Sequence, residues 1–199
     1  MAVLRLTVLI AALSLSGCQP YTLAQTGRPI LVADNFTVTP DINWSRSAVG
    51  NAEIWTVDGP LLENLTFLTN VGKGDPLAPT SFWMRLEASQ QKEGKMPTFD
   101  PAMNTLEVAD LVRETYIRNG QQNFSYTNLT PQTFGGNTGF HFDFTFTTAE
   151  GLDKQGMAVG ALVDEKLHIA IYTGAAEYYF EKYKSAVDNL LNSLQINQG

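Results

Sequence analysis

Cysteine occurs once in the 199 residues and histidine twice. A single cysteine excludes an internal disulfide framework and a cysteine-rich zinc module. Basic residues are scarce as well: 13 Lys and Arg stand against 20 Asp and Glu, for a formal net charge of −7. Phosphate recognition needs a basic stripe, so this balance argues against nucleic acid as a partner. It argues equally against polybasic attachment to anionic lipid. The chain carries no zincin His pair, no Ser-centred nucleophile elbow, no Walker loop and no Rossmann fingerprint. Gly72-Lys73-Gly74 lacks the spacing and the Ser or Thr of a phosphate cradle, and Gly135 to Gly139 runs into a strand pattern instead of a helix. Both read as turns. What remains is 44% hydrophobic and 11% aromatic, the composition of a folded domain.

The amino terminus is built differently from the rest. Arg5 supplies a positive start, Leu6 to Leu15 is uncharged and apolar, and Ser16-Gly17 precede the lone Cys18. That order is the layout of an export signal. The apolar run falls short of the roughly 20 residues a spanning helix needs. Leu15-Ser16-Gly17-Cys18 resembles the lipobox of bacterial lipoproteins. The resemblance implies a diacylglycerol on the Cys18 thiol, cleavage after Gly17 and a membrane anchor. Gln19 stands where an Asp would favour inner-membrane retention, which implies the outer membrane facing the periplasm. The expected organisation is a signal peptide over 1–17, a lipidated Cys and polar tether over 18–29, and one globular domain over 30–199.

Within that domain, strand-like and helix-like runs alternate. Short strands are expected at Phe36 to Thr39, Ala52 to Val57, Leu65 to Val71 and Ser81 to Glu87, and a surface loop at Gln90 to Pro101. Asn104 with Glu107 forms a capping box ahead of a helix whose apolar stripe is Val108, Leu111, Val112 and Tyr116. Glu114 is spaced to pair with Arg118, and Asn119-Gly120 ends the helix. Phe124 to Asn128 is a strand, and Gly135 to Gly139 a turn. Phe140, Phe142, Phe144 and Phe146 then recur at strict period two, with His141, Asp143, Thr145 and Thr147 on the reverse face. Gln155 to Val163 and Leu167 to Thr173 follow, joined by a tight link that favours an antiparallel meander. A closing amphipathic helix is expected from about Ala175 to Leu194. The fold class is α+β, an antiparallel β-sheet packed by α-helices.

From Asn104 to Ile196 the order is helix, strand, Gly turn, aromatic strand, two further strands and a long helix ahead of Gln195-Ile196. This order resembles the PsbP-like superfamily, which includes extrinsic photosystem subunits, a Ran-binding nuclear protein and DcrB-type lipoproteins. The resemblance implies an α/β/α sandwich used as a binding or assembly module, with no shared catalytic set to carry over.

Two constellations bear on chemistry. His141 and Asp143 lie at i, i+2 on one strand face, so imidazole and carboxylate can hold a metal or orient each other for proton transfer. A metal would require at least one more ligand, and the face of His168 is not determined by its pattern. Trp83 with Arg85, an aromatic beside a cation, is a candidate partner patch, and Tyr178 with Tyr179 is another, since an exposed Tyr pair suits an interface. No cofactor is implied. The first expectation is a non-enzymatic envelope lipoprotein that binds a protein partner or aids complex assembly at the membrane. The alternative is a small-ligand or metal-binding lipoprotein, and a third reading is an envelope hydrolase with a nucleophile near one of the histidines.

Overall fold

The computed structural model describes residues 21–49, 52–77 and 96–197. The signal segment, Cys18 and the strand expected at Ser81 to Glu87, with Trp83 and Arg85, lie outside the described residues, as does the first half of the loop expected from Gln90 to Pro101.

The phenylalanine alternation sets the second half of the chain. Phe140, Phe142, Phe144 and Phe146 are all buried on strand β8 (Asn137–Thr147). Strand β7 (Gln122–Phe134) pairs on one side of it and β9 (Asp153–Val163) on the other. The register sets Phe140, Phe142 and Phe144 opposite Gly160, Ala158 and Gly156. The small residues leave room for the rings, whose centroids step along the sheet at 6.2, 6.0 and 6.1 Å. A Cβ on Gly156 would overlap the Phe144 ring, and one on Gly160 would sit 2.8 Å from Phe140 Cζ and 2.7 Å from the His168 carbonyl.

Helix α1 (Thr105–Arg118) lies on this row of rings and buries Val108, Leu111 and Val112. Its capping box is formed in both directions: Glu107 N donates to Asn104 Oδ1 at 3.1 Å and Asn104 N to Glu107 Oε2 at 2.7 Å. Gly120 at φ +84° supplies the left-handed residue beyond the helix end. Arg113, rather than Arg118, carries the ion pairs of this helix, at 3.0 Å from Asp110 and 3.3 Å from Glu114.

Strand β10 (Lys166–Ala175) follows β9 through a two-residue turn and pairs on its far side with β6 (Glu63–Val71). Beyond β6 come β5 (Ala52–Thr56), β4 (Trp44–Val49) and β1 (Thr22–Ala24), giving the sheet order β1-β4-β5-β6-β10-β9-β8-β7. The opposite face is covered by α2 (Tyr179–Asn192), whose Phe180, Tyr183, Val187 and Leu190 meet Trp44, Trp55, Leu65 and Tyr172. One helix on each face makes the α/β/α sandwich. A small sheet, β2 (Ile30–Val32), β3 (Phe36–Val38) and β11 (Gln195–Ile196), lies over the α2 side of the core. Among the described residues no helix is long and apolar enough to cross a membrane.

Several element bounds differ from the sequence expectation, each for a tertiary reason. Thr22–Ala24, within the expected tether, pairs with Trp44–Arg46 at the sheet edge. The closing helix starts at Tyr179 because Ala175 still belongs to β10, where its amide donates to the Leu62 carbonyl at 2.9 Å. Strand β7 is far longer than Phe124 to Asn128, since two bulges interrupt its alternation. The glycine turn shrinks to Gly135-Gly136, both at positive φ as a two-residue hairpin requires.

A buried carboxylate helps to tie the two sheets, as does the Thr69 hydroxyl, which donates to the Ala33 carbonyl at 2.9 Å. Glu53, 3% exposed, accepts from Trp55 Nε1 at 2.8 Å, Arg46 Nη2 at 3.0 Å and the amide of Ala33 at 3.0 Å. Arg46 Nε adds an ion pair to it, and Arg46 Nη2 also reaches the Leu31 carbonyl at 3.0 Å.

Because the ring row fills the space over β9, Gly156→Ala is expected to destabilise the fold by about 1–3 kcal/mol through overpacking. Urea unfolding checks this: the midpoint should fall with an unchanged slope.

Candidate functional site

The period of β8 that buries the phenyl rings turns His141, Asp143 and Thr145 to the α2 side of the sheet. Helix α2 covers the centre of that side and leaves a groove of about 280 Å³ beside it, over the end strands. Ser125 and Thr127 of β7, Asp143 and Thr145 of β8 and Gln155 of β9 form its floor, and Glu181 and Lys184 of α2 form its wall. The groove therefore offers hydroxyls, an amide, carboxylates and an ammonium, a surface suited to hydrogen-bonding a polar chain.

The structure brings the predicted pair together. His141 Nε2 lies 3.3 Å from Asp143 Oδ1, and the other carboxylate oxygen accepts from Asn128 Nδ2 at 2.7 Å. Among the described residues no three His, Cys, Asp or Glu converge to hold a metal ion. His141 thus has, among the described residues, a carboxylate partner that fixes its orientation. His168 is on the same sheet face but two strands away, buried beneath the small sheet with its ring 5.8 Å from Phe36. It does not join His141.

Tyr178 and Tyr179 stand at the start of α2 with their rings edge to face at 5.2 Å. Lys182 Nζ lies 5.4 and 5.6 Å from these rings and 4.8 Å from that of Tyr183. The tyrosine pair thus already holds a cation of its own chain, although Tyr178 remains 57% exposed. Asp58, from the turn before β6, anchors that cation at 2.6 Å and accepts from the Tyr183 hydroxyl at 2.7 Å. The lysine hydrogen bond, then the tyrosine one, hold the Asp58 carboxyl below its ordinary range.

Glu63, fully buried, was not marked by its sequence context. Its Oε1 accepts from Thr56 Oγ1 and the Val57 amide, both at 2.6 Å, and from the Asp58 amide at 2.9 Å. Its other oxygen has no partner among the described residues. Burial outweighs these bonds and pushes its pKa up.

No protein-family model matches the chain, and no curated protein matches it. Among solved structures, the chain is similar to cyanobacterial PsbP (CyanoP) from Synechocystis sp. PCC 6803, with a TM-score of 0.47 and 12% identity over 94% of this chain and 99% of that one. It is also similar to LpqN, involved in cell envelope biogenesis of Mycobacterium tuberculosis, with a TM-score of 0.38 and 10% identity over 90% of this chain and 86% of that one. At these identities no site residue is carried across.

Asp58 and Glu63 make opposite predictions. A depressed carboxyl contributes stability that is full above its unfolded pKa and lost as pH falls through its folded value. A raised one favours the fold below its unfolded pKa, and that advantage is lost as pH rises through its folded value. Asp58→Asn should therefore be destabilising at neutral pH and converge on the parent protein as pH falls through the carboxylate range. Glu63→Gln should gain on the parent as pH rises out of that range. Thermal melts from acid to neutral pH test both, and curves running parallel to the parent would contradict them.

Proposed function

We propose that the chain is a non-enzymatic lipoprotein of the bacterial envelope, held by a lipid on Cys18, whose domain binds a protein partner through the groove beside α2. The observation that carries the reading is Leu15-Ser16-Gly17-Cys18 at the end of an uncharged apolar run, in a chain with no other cysteine. Lipid chains contribute roughly 0.8 kcal/mol per buried CH₂, so two or three give a firm anchor.

The fold's geometry supports this arrangement. Strand β1 begins at Thr22, four residues along from Cys18, a reach of about 14 Å even when fully extended. The β1 edge is then the membrane-proximal one. Strand β7 is the opposite edge of the eight-stranded sheet, and at about 4.8 Å per strand it stands on the order of 30 Å away. The groove opens at that distal end, turned towards partners in the periplasm of an outer-membrane-anchored protein. Its partner engages side chains rather than adding a strand. The β7 edge is blunted by bulges holding Asn123 and Asn128 at φ +54° and +55° and by Pro131.

Lys184 supplies an amine inside the groove for the test. In intact cells, cross-linking mass spectrometry should join Lys184 to one envelope protein reproducibly. The yield should drop severalfold in an exported but unanchored Cys18→Ser form. Cross-links to abundant neighbours alone, unchanged by the substitution, would sink the partner reading.

A further inference from the structure

A second cavity, of about 80 Å³, lies where the two sheets meet and is separate from the groove. It is lined by Asn35, Asn70, Asp164, Lys166, His168 and Asn197, with β11 closing one side. Two of these residues present a buried polar atom with no partner among the described residues: Asn35 Oδ1 and His168 Nδ1. His168 is 3% exposed, so its ring nitrogen is withdrawn from solvent. Buried polar atoms are normally paired, and both orphans belong to residues that line this cavity.

The backbone around the cavity is shaped for it. Leu167 and Ile169 of β10 pair with Val71 and Leu68 of β6, so His168 faces the two residues Thr69 and Asn70. That is a β-bulge set against the histidine, a device that re-aims side chains beside functional sites. Asn70 sits at φ +54° within it. The flanking turns hold Ala33 and Asp34 at +45° and +59°, and Asp164 and Glu165 at +49° and +61°. Of these, Asn70 and Asp164 line the cavity themselves, and the others belong to the hairpin turns beside it.

The chemistry of the lining narrows the ligand. Three Asn amides and an imidazole line it beside the apolar Val163 and Ile196, while Asp164 and Lys166 offset each other in charge. Burial, then the nearby Lys166, lowers the pKa of His168. With Asp164 offset by Lys166, neither a cation nor an anion is selected, and in the Nδ1–H tautomer of His168 a neutral group offering one acceptor and one donor meets both orphans. The volume admits only a few water-sized groups.

We propose that this cavity binds a carboxamide group, whose carbonyl accepts from His168 Nδ1 and whose N–H₂ donates to Asn35 Oδ1. The group belongs either to a small free amide or to the end of a Gln or Asn side chain on a peptide. The proposal is independent of the groove and of the lipid anchor.

Imidazole ¹⁵N spectroscopy on the full chain tests it, with His141 as the internal control because the chain has only two histidines. Acetamide should shift the His168 Nδ1 resonance saturably and leave His141 unmoved, and acetate should do neither. Acetyl-glutamine methylamide shifting the same resonance identifies a side-chain source, and acetamide acting alone identifies a free small amide; either supports the assignment. Asn35→Ala should weaken acetamide binding tenfold or more. Asn70→Gly, which relieves a positive φ and so preserves the fold, should weaken it severalfold. A response to acetate without one to acetamide would make this an anion site and overturn the proposal. No response to acetamide in the folded chain, leaving water alone on His168 Nδ1, would overturn it too.

Discussion

The carboxylate of Glu53 is almost withdrawn from water, and a charge in that position is tolerable only when its lone pairs are met. Its donors come from three places: the guanidinium of Arg46 on β4, the indole of Trp55 on β5 and the amide of Ala33 in the turn between β2 and β3. Satisfying all of them permits one placement of the small sheet against the large one. That placement sets Phe36 beside His168 and Asn35 at the second cavity, and β11 then pairs with β3 to close it. The polar cavity at the sheet junction thus depends on a placement that the buried charge helps to fix, together with the Thr69 hydroxyl on the Ala33 carbonyl.

At the other end of the sheet the governing constraint is apolar. Three of the four phenyl rings lie over a glycine and alanine track on β9, and the row lies beneath α1. Because side chains alternate strictly along a strand, burying the rings on one face commits His141, Asp143 and Thr145 to the other. Helix α2 is pinned over the tryptophans and Tyr172, so it cannot also cover these polar residues. The groove is the area left between the two demands.

Signals carried by neighbouring residues were legible before the structure. The capping box at Asn104, the stripe of α1 and the alternation of β8 all depend on contacts within a few positions. The pairing of His141 with Asp143 was legible for the same reason. Features that depend on distant partners were not. Thr22–Ala24 has no periodicity of its own and is a strand only because β4 lies beside it. Strand β7 reads as short because bulges at Asn123 and Asn128 break its alternation. Tyr178 and Tyr179 read as a free patch because Asp58, which fixes Lys182 over them, is 124 residues from that lysine in sequence.

By itself the sequence determined the α+β class, the resemblance of the segment around Cys18 to a lipobox, and the faces of β8 and α1. Each of these is written in residues that touch or alternate locally, where period and spacing are enough. Tertiary structure alone decided which polar groups meet: Glu53 with Arg46 and Ala33, Asp58 with Lys182 and Tyr183, Asn35 and His168 around one cavity. Those meetings require particular strand registers and one bulge, and a shift of a single residue would turn each side chain to the opposite face.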